Sequence, residues 1–362
     1  MMTPRQRWLA AVQMQPVDRL PFWPKLDNAY PRAQDAPFRQ MPAGAIQDWI
    51  GSDKHVGIPG FLKTVWKNGA LQATQQNGVR KTVYQTRPQP LELVDRFDEA
   101  SQSWHPIKHP VKTLEDVRAL TEFFSEASVE VDHAALERAR QAAKQVGEEA
   151  VTHSGAGTSA LMDWVQRLAG PENCHLLLAD YPEEVAALFE AMHRLLRRKV
   201  ELLCELGPSD LIYMTENTST TLISPRQYRQ HCYPHIKEYA QIATDGGRLM
   251  VLHMCGLLKR LLPDLATVAA RAFEAFTSPP VGDTSFLDGR SVCPDKCLIG
   301  GTNAVLWTKS ADEIIAQIEA DLDALPHHRG LVVTSAGVMP PMAKPETIKR
   351  VGQWVRSYKA RM

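Results

Sequence analysis

Short apolar segments recur along the chain and are separated by stretches with helical periodicity. Five of them, rich in β-branched residues, occupy positions 211–217, 249–255, 272–278, 297–303 and 330–337. Three further candidates lie at 19–25, 52–60 and 149–156. Because these segments are almost continuously apolar, we expect parallel strands that are covered on both faces.

The segments between these predicted strands have sequence features that are typical of helices. One helix is predicted to begin with Ser224 as its N-cap and Pro225 in its first turn, and another is capped by Ser310. Eight strands alternating with helices predict a (β/α)8 TIM barrel, since no glycine-rich phosphate turn follows the first strand. We expect residues 1–362 to form one α/β barrel domain, with an N-terminal hairpin insertion from about Gly78 to Val111.

Composition narrows the class of protein. The 41 Lys and Arg balance 41 Asp and Glu, so the chain lacks the positive excess of proteins that bind nucleic acid or anionic lipid. The start of the chain shows no signal-peptide pattern, and no long apolar run follows, which predicts a cytoplasmic protein. Six cysteines in 362 residues do not suggest a disulfide framework, so they are expected to be buried thiols or metal ligands.

Several predicted strands end in polar residues, and barrel active sites lie at the carboxyl ends of the strands. His253 and Cys255 are two positions apart, so both side chains should project from the same face. Imidazole and thiolate ligands together favour Zn²⁺ over Mg²⁺ or Ca²⁺. A catalytic zinc site uses three protein ligands and keeps one position open.

Glu216 ends the neighbouring strand and is the expected third zinc ligand and a catalytic residue, with Cys297 or water as alternatives. Cys297 begins its strand, which should hold it below the mouth of the barrel. His153 is a second catalytic candidate. Asn217, Asn303 and Ser335 are expected to bind substrate, and Lys25 is a weaker pocket candidate. A buried His-x-Cys pair without metal is the structural alternative.

Four segments of the chain resemble a known family. They are TPRQRWLAAVQMQPVDRLPFWP, TENTSTTLISPRQYRQHCYPHIKEY, VLHMCG and LIGGTNAVLW. They resemble the uroporphyrinogen decarboxylase superfamily in its methyltransferase branch, and the resemblance covers nearly the whole chain. It implies a (β/α)8 barrel, in agreement with the strand count.

The resemblance also implies a metal site. In the corrinoid-dependent coenzyme M methyltransferases of this branch, a His and a Cys at the positions of His253 and Cys255 bind zinc together with a second Cys near the end of the eighth strand. This chain has Ser335 and Ala336 there. Some relatives use an acidic ligand from the fourth strand, which Glu216 matches. The decarboxylases of this superfamily have an arginine-rich segment after the first strand that binds the propionates of the substrate. This chain has only Arg32 there, which argues against porphyrinogen decarboxylation.

The resemblance thus implies a zinc-dependent methyltransferase that moves a methyl group between a corrinoid or small donor and a thiol or similar acceptor. The chain has no corrinoid-binding D-x-H-x-x-G motif, so a corrinoid would come on a partner protein. Three alternatives stay open: a decarboxylase or lyase without metal, a demethylase that moves the methyl group onto a corrinoid protein, and a binding protein without catalytic activity.

Overall fold

The computed structural model describes residues 1–101 and 103–362. The strands are β1 (Phe22–Trp23), β2 (Lys54–Gly57), β3 (Leu62–Trp66), β4 (Leu71–Gln76), β5 (Val79–Tyr84), β6 (Leu91–Asp98), β7 (Ser103–Lys108), β8 (Ala127–Val131), β9 (Ala150–Gly157), β10 (Leu211–Thr215), β11 (Leu249–His253), β12 (Ala272–Phe276), β13 (Cys297–Gly300) and β14 (Leu331–Thr334).

The α-helices are α1 (Pro4–Val12), α2 (Ala43–Ile50), α3 (Leu114–Ser125), α4 (His133–Val146), α5 (Ala160–Asp163), α6 (Gly170–Asp180), α7 (Pro182–Leu206), α8 (Pro225–His231), α9 (Tyr233–Asp245), α10 (Leu262–Ala266), α11 (Phe286–Val292), α12 (Ala311–Asp323) and α13 (Pro345–Ser357). Both predicted N-caps are confirmed: Ser224 and Ser310 accept hydrogen bonds from the backbone of the first turns of α8 and α12. Over the described residues, every helix is too short or too polar to cross a lipid bilayer.

Eight parallel strands form the central sheet, in the order β1-β14-β13-β12-β11-β10-β9-β2. All eight predicted strands lie in it, which confirms the (β/α)8 barrel. The backbone N–H of Asp53 donates to the carbonyl of Phe22 at 2.8 Å and links the two edge strands. Because the strands are parallel, their carboxyl ends meet at one mouth.

Apolar side chains fill the barrel interior below this mouth. Trp8 from α1, Val251 from β11 and Ile299 from β13 belong to one interior cluster. Cys297 is part of the same cluster and is fully buried at the start of β13. Its position well below the mouth therefore agrees with the prediction from strand direction.

The insertion is larger than the sequence predicted. Strands β4 to β7 form an antiparallel sheet of four strands that begins at Leu71, and β3 pairs with β8 in a separate sheet of two strands. The prediction began near Gly78 because β4 has the sequence LQATQQ and is exposed throughout. A strand without a buried face carries no apolar alternation, so its pattern could not be read.

A buried carboxylate holds the two edge strands together. Asp53 is fully buried and accepts hydrogen bonds from Arg7 at 2.6 Å, from Arg19 at 2.7 Å and from the backbone N–H of Phe22 at 3.1 Å. The Asp53 carbonyl also accepts from the indole of Trp8 at 2.8 Å. Arg7 is only 2% exposed, and its guanidinium is shared between Asp53 and the carboxylate of Asp18 at 2.7 Å. Loss of Asp53 would remove one of the two charges that compensate it.

Replacing Asp53 by Ala should therefore lower the free energy of unfolding by about 3 kcal/mol, the low end for breaking a buried ion pair, because Asp18 still compensates Arg7. Urea denaturation measures this change. Asp35→Ala, which removes an exposed ion pair with Lys344, is the matched control and should leave stability almost unchanged. Equal effects of the two substitutions would show that Asp53 does not hold the barrel closed.

Candidate active site at the barrel mouth

His253 stands at the end of β11, between two strands that end at the same level. In the parallel registers it is paired with Thr215 of β10 and Glu274 of β12. Its ring is 7% exposed, and the thiol of Cys255 interacts with it. The structure thus brings together the two residues of the predicted His-x-Cys pair. Gly256 follows with φ of +133°, and a Cβ there would lie 2.5 Å from Ser219.

The nearest carboxylate to His253 is that of Glu274. One oxygen of Glu274 contacts Nδ1 of His253 and accepts from the hydroxyl of Tyr213. The ammonium of Lys25 lies 3.2 Å from the same Nδ1 and 3.3 Å from each Glu274 oxygen. Burial by itself would raise the pKa of Glu274, but Lys25, His253 and Tyr213 outweigh it and hold that pKa at about 2. Glu274 is therefore ionised at neutral pH.

Glu274 and Cys255 in turn change the pKa of the His253 imidazole. Burial opposes protonation of His253, but the Glu274 charge and the Cys255 thiol outweigh it and raise the pKa of His253. Sequence reasoning missed Glu274 and Tyr213 and ranked Lys25 low. The available signal was the segment AFEAF, in which an acidic residue interrupts an apolar strand without ending it.

Asn217 connects the Cys255 thiol to a neighbouring loop. The Sγ of Cys255 donates to Oδ1 of Asn217 at 3.3 Å, and Nδ2 of Asn217 donates to Gln166 at 2.8 Å. Gln166 lies in a π-helical turn, Trp164–Leu168, between α5 and α6. Such turns are frequent at functional sites. Asn217 is therefore beside the candidate ligands, where it could contact a substrate held there.

A cavity of about 450 Å³ opens next to Gln166. Its lining includes Arg167 and Pro171 on the barrel side and Trp104, His105 and Arg80 from the inserted sheet. Arg80 is paired with the buried Asp95 at 2.9 Å and lies over the ring of Trp104. The inserted sheet thus forms one wall of a space that adjoins the mouth.

Glu216, the predicted third ligand, is directed elsewhere. Its carboxylate accepts hydrogen bonds from the backbone N–H of Ser159 at 2.7 Å and from the Ser159 hydroxyl at 2.5 Å, and Cys232 donates to it at 3.7 Å. Burial raises the pKa of Glu216 to about 7, although the bonds from Ser159 oppose this. In the described part of the chain, the group that places three ligand atoms within 4.8 Å of one another is Glu190, His193 and His235, not His253, Cys255 and Glu216.

His153 lies inside the barrel and not at the strand end. Strand β9 continues to Gly157, so His153 is in mid-strand, with its ring stacked on that of His55 at 4.1 Å. Tyr213 stands 5.1 Å away and separates it from Glu274. The Nδ1 of His153 is buried without a hydrogen-bond partner. Its catalytic role stays a prediction.

The other two predicted substrate-binding residues, Asn303 and Ser335, make hydrogen bonds to neighbouring parts of the chain. Asn303 donates to Ser278 and to the carbonyl of Pro279, both at 3.0 Å. The hydroxyl of Ser335 accepts from the backbone N–H of Lys25 at 3.1 Å and donates to the carbonyl of Gly337 at 2.6 Å. Ser335 therefore holds the Lys25 backbone, and its role in binding substrate stays a prediction.

Strained backbone is concentrated at this end of the barrel. Asn217, Ala275 and Ala336 have φ of 49°, 65° and 63° at or just after the carboxyl ends of β10, β12 and β14. Non-glycine residues in this region cost free energy and are enriched at functional sites. The strain thus marks the mouth independently of the charged residues.

A family model for uroporphyrinogen decarboxylase (URO-D) matches residues 100–358. The chain belongs to the uroporphyrinogen decarboxylase family. The match includes β9 to β14 and therefore His253, Cys255 and Glu274. Comparison with curated protein sequences found no match.

Among solved structures, this family member is similar to a methyltransferase from Methanosarcina mazei, with a TM-score of 0.65, 17% identity and 98% of each chain covered. A weaker likeness is to a protein described as a vitamin-B12-independent methionine synthase from Listeria monocytogenes, with a TM-score of 0.37 and 13% identity over 61% of this chain and 66% of that one. The first likeness shows a shared fold along the whole chain.

The raised pKa of Glu216 makes stability depend on pH. The folded protein retains a proton that the unfolded chain loses near the ordinary value of 4.5. The stabilisation is complete below that pH and is lost as pH rises through about 7. In Glu216→Gln the decline should be smaller than in the parent because this contribution is removed, as measured by urea unfolding of metal-free protein between pH 4.5 and 8.

The exposed Glu319 of α12 offers a control, because Glu319→Gln should keep the parent's decline. A Glu216 variant that retains the parent's pH dependence would mean that this carboxylate is ionised when folded. It would then be available as a metal ligand.

Proposed function

We propose that this chain is a zinc-dependent methyltransferase with its metal site at His253 and Cys255. The proposal rests chiefly on one observation: an imidazole and a thiol interact at the carboxyl end of a barrel strand, beside an ionised buried carboxylate. Nitrogen, sulfur and oxygen donors together suit Zn²⁺. Membership of the family, and a fold shared with a methyltransferase, support methyl transfer as the reaction.

Within this site we assign the third ligand position to Glu274, the position that the sequence assigned to Glu216. Glu274 contacts His253 directly, whereas the Glu216 carboxylate is bonded to Ser159 and Cys232. The Lys25 ammonium lies within 3.3 Å of both His253 and Glu274, so this point already holds a positive charge. A metal ion bound by His253 and Glu274 would have to displace that ammonium.

Zn²⁺ held by these side chains would lower the pKa of a thiol and favour the thiolate at neutral pH. With such a thiolate, the sulfur would attack the methyl carbon to form the S–C bond, and the donor would keep the electron pair of the bond that breaks. The thiol proton goes to solvent or to a nearby base. Before a metal ion binds, Lys25 and Tyr213 keep Glu274 ionised and therefore ready to act as a ligand. Asn217 would orient the group that lies beside Cys255.

The donor and its carrier come from the resemblance. A corrinoid on a partner protein, or a small methyl donor, would approach at the mouth, and the cavity beside Gln166 offers space for the remainder of a small molecule. The corrinoid protein and the cytoplasmic location of the chain remain predictions.

The first test concerns the ligands. Cys255→Ser should bind one equivalent of Zn²⁺ fewer than the parent. Glu274→Gln should lower the affinity of the mouth site for Zn²⁺ by more than about 10-fold, which is the lower end of the effect of removing a residue that supports a metal site. Glu216→Gln should keep it. Equilibrium dialysis with elemental analysis measures all three.

Cys204→Ser on α7 is the matched thiol control and should bind zinc like the parent. A pattern in which Glu216→Gln loses zinc and Glu274→Gln keeps it would restore the assignment made from the sequence. If Cys255→Ser binds as much zinc as the parent, the proposal of a zinc site at the mouth is refuted.

The second test concerns the reaction. Addition of the right thiol should release a proton and add one sulfur neighbour to the metal, because the bound form is thiolate. X-ray absorption of the zinc-loaded protein reports the sulfur count, and transfer from methylcobalamin to the thiol reports turnover. Cys255→Ser should lose both signals.

Two outcomes would contradict thiol methylation. An unchanged sulfur count across a panel of thiols, with methylation of free cob(I)alamin by a methoxy or methylamine compound, would establish the demethylase direction. Turnover of a carboxylated substrate by zinc-free protein would establish the decarboxylase or lyase.

A further inference from the structure

A second cluster of metal-binding side chains lies on the outer helices, away from the barrel mouth. Glu190 and His193 are three residues apart on α7, so they share one face of that helix. His235 projects from α9, which packs against α7. One ligand atom from each of the three residues lies within 4.8 Å of the other two. A Glu-x-x-His pair facing a further helix is the spacing that supplies metal ligands in helical bundles.

The three side chains differ in how firmly they are held. His193 is buried, and its Nδ1 is 2.6 Å from the hydroxyl of Tyr239, which would fix the ring. Its Nε2 bonds to the Glu238 carboxylate at 2.9 Å, so a metal ion bound at Nε2 would replace that bond. An oriented imidazole of this kind is the usual state of a metal-ligating histidine. Glu190 is exposed on α7 and free to adjust.

His235 is the member without a partner. Its Nδ1 is buried and makes no hydrogen bond, which is uncommon for a polar atom in a folded protein. Its ring stacks on that of His193, with centroids 4.0 Å apart and planes at 9°. Because a metal must lie in the plane of each ring that binds it, two parallel stacked rings cannot both coordinate one ion. One ring must turn, and His235 is half-buried and unbonded at Nδ1, so it is the ring that can turn.

We propose that Glu190, His193 and His235 form a second metal site, which joins α7 to α9 on the outside of the barrel. Two imidazoles and one carboxylate match Zn²⁺ and similar divalent transition ions and do not match Ca²⁺ or Mg²⁺. Binding turns the His235 ring out of the stack and satisfies the unpartnered imidazole. The site is independent of the zinc proposed at the mouth and shares no residue with it.

The test uses the full chain in a Cys255→Ser background, in which the mouth site is removed. This protein should still bind one Zn²⁺, and one Co²⁺ with visible d–d absorption. Adding His235→Ala or Glu190→Gln should weaken the affinity for Zn²⁺ at least ten-fold. Zinc should also raise the melting temperature of the Cys255→Ser protein and not that of the His235→Ala variant, because a metal that binds only the folded state stabilises it.

His231→Ala is the matched control, since His231 ends α8 only four residues before His235 and lies outside the group; it should bind like the Cys255→Ser parent. Circular dichroism of the metal-free variants checks that each one is folded. Unchanged zinc affinity in both His235→Ala and Glu190→Gln, or no zinc bound by the Cys255→Ser parent, would overturn the helix site. If Cys255→Ser loses no equivalent of Zn²⁺ relative to the unmodified protein, the mouth site is refuted. The helix site is still tested in that case, because His235→Ala and Glu190→Gln are compared with the Cys255→Ser protein itself.

Discussion

The mouth of this barrel depends on the burial of one ionised carboxylate. Glu274 is fully buried on β12, and it is contacted by Tyr213 of β10, by His253 of β11 and by Lys25, which follows β1. Transfer of a carboxylate from water to a protein interior costs several kcal/mol unless partners compensate it. The partners come from different strands, so the carboxylate can be ionised only when the barrel has brought its strands together. Folding and the electrostatics of the site are thereby coupled.

The buried charge of Glu274 also explains why a positive charge is favourable next to it. Lys25 supplies one positive charge to a group that contains a carboxylate, a phenol, an imidazole and, through His253, a thiol. A divalent ion would compensate the carboxylate more fully and would use the nitrogen and sulfur donors as well. Asn217 and Ala275 have left-handed backbone conformations. They lie at the carboxyl ends of β10 and β12, the two strands that flank β11 and its His253.

The barrel and the His-x-Cys pair could be predicted because each depends on a local regularity. Near-continuous apolar strands identify a buried parallel sheet, and a spacing of two residues puts His253 and Cys255 on one face. The sequence pattern around Glu216 did not reveal the turn that follows it. Because Asn217 takes a left-handed conformation directly after Glu216, the chain leaves the strand direction there, and the Glu216 carboxylate meets Ser159. Glu274 was missed because its partners are distant in sequence, and only the folded barrel reveals them. The exposed strand β4 was missed because it lacks a buried face.

The proposed methyltransferase activity requires that His253 and Cys255 hold a metal ion. Anomalous diffraction at the zinc absorption edge, on crystals of the zinc-loaded full chain, tests that claim most directly. We predict a peak at the mouth about 2.0–2.3 Å from a His253 nitrogen, the Cys255 sulfur and a Glu274 oxygen, with the Lys25 ammonium moved away from His253. A mouth without a peak at saturating zinc, with Lys25 still in contact with His253 and Glu274, would contradict it.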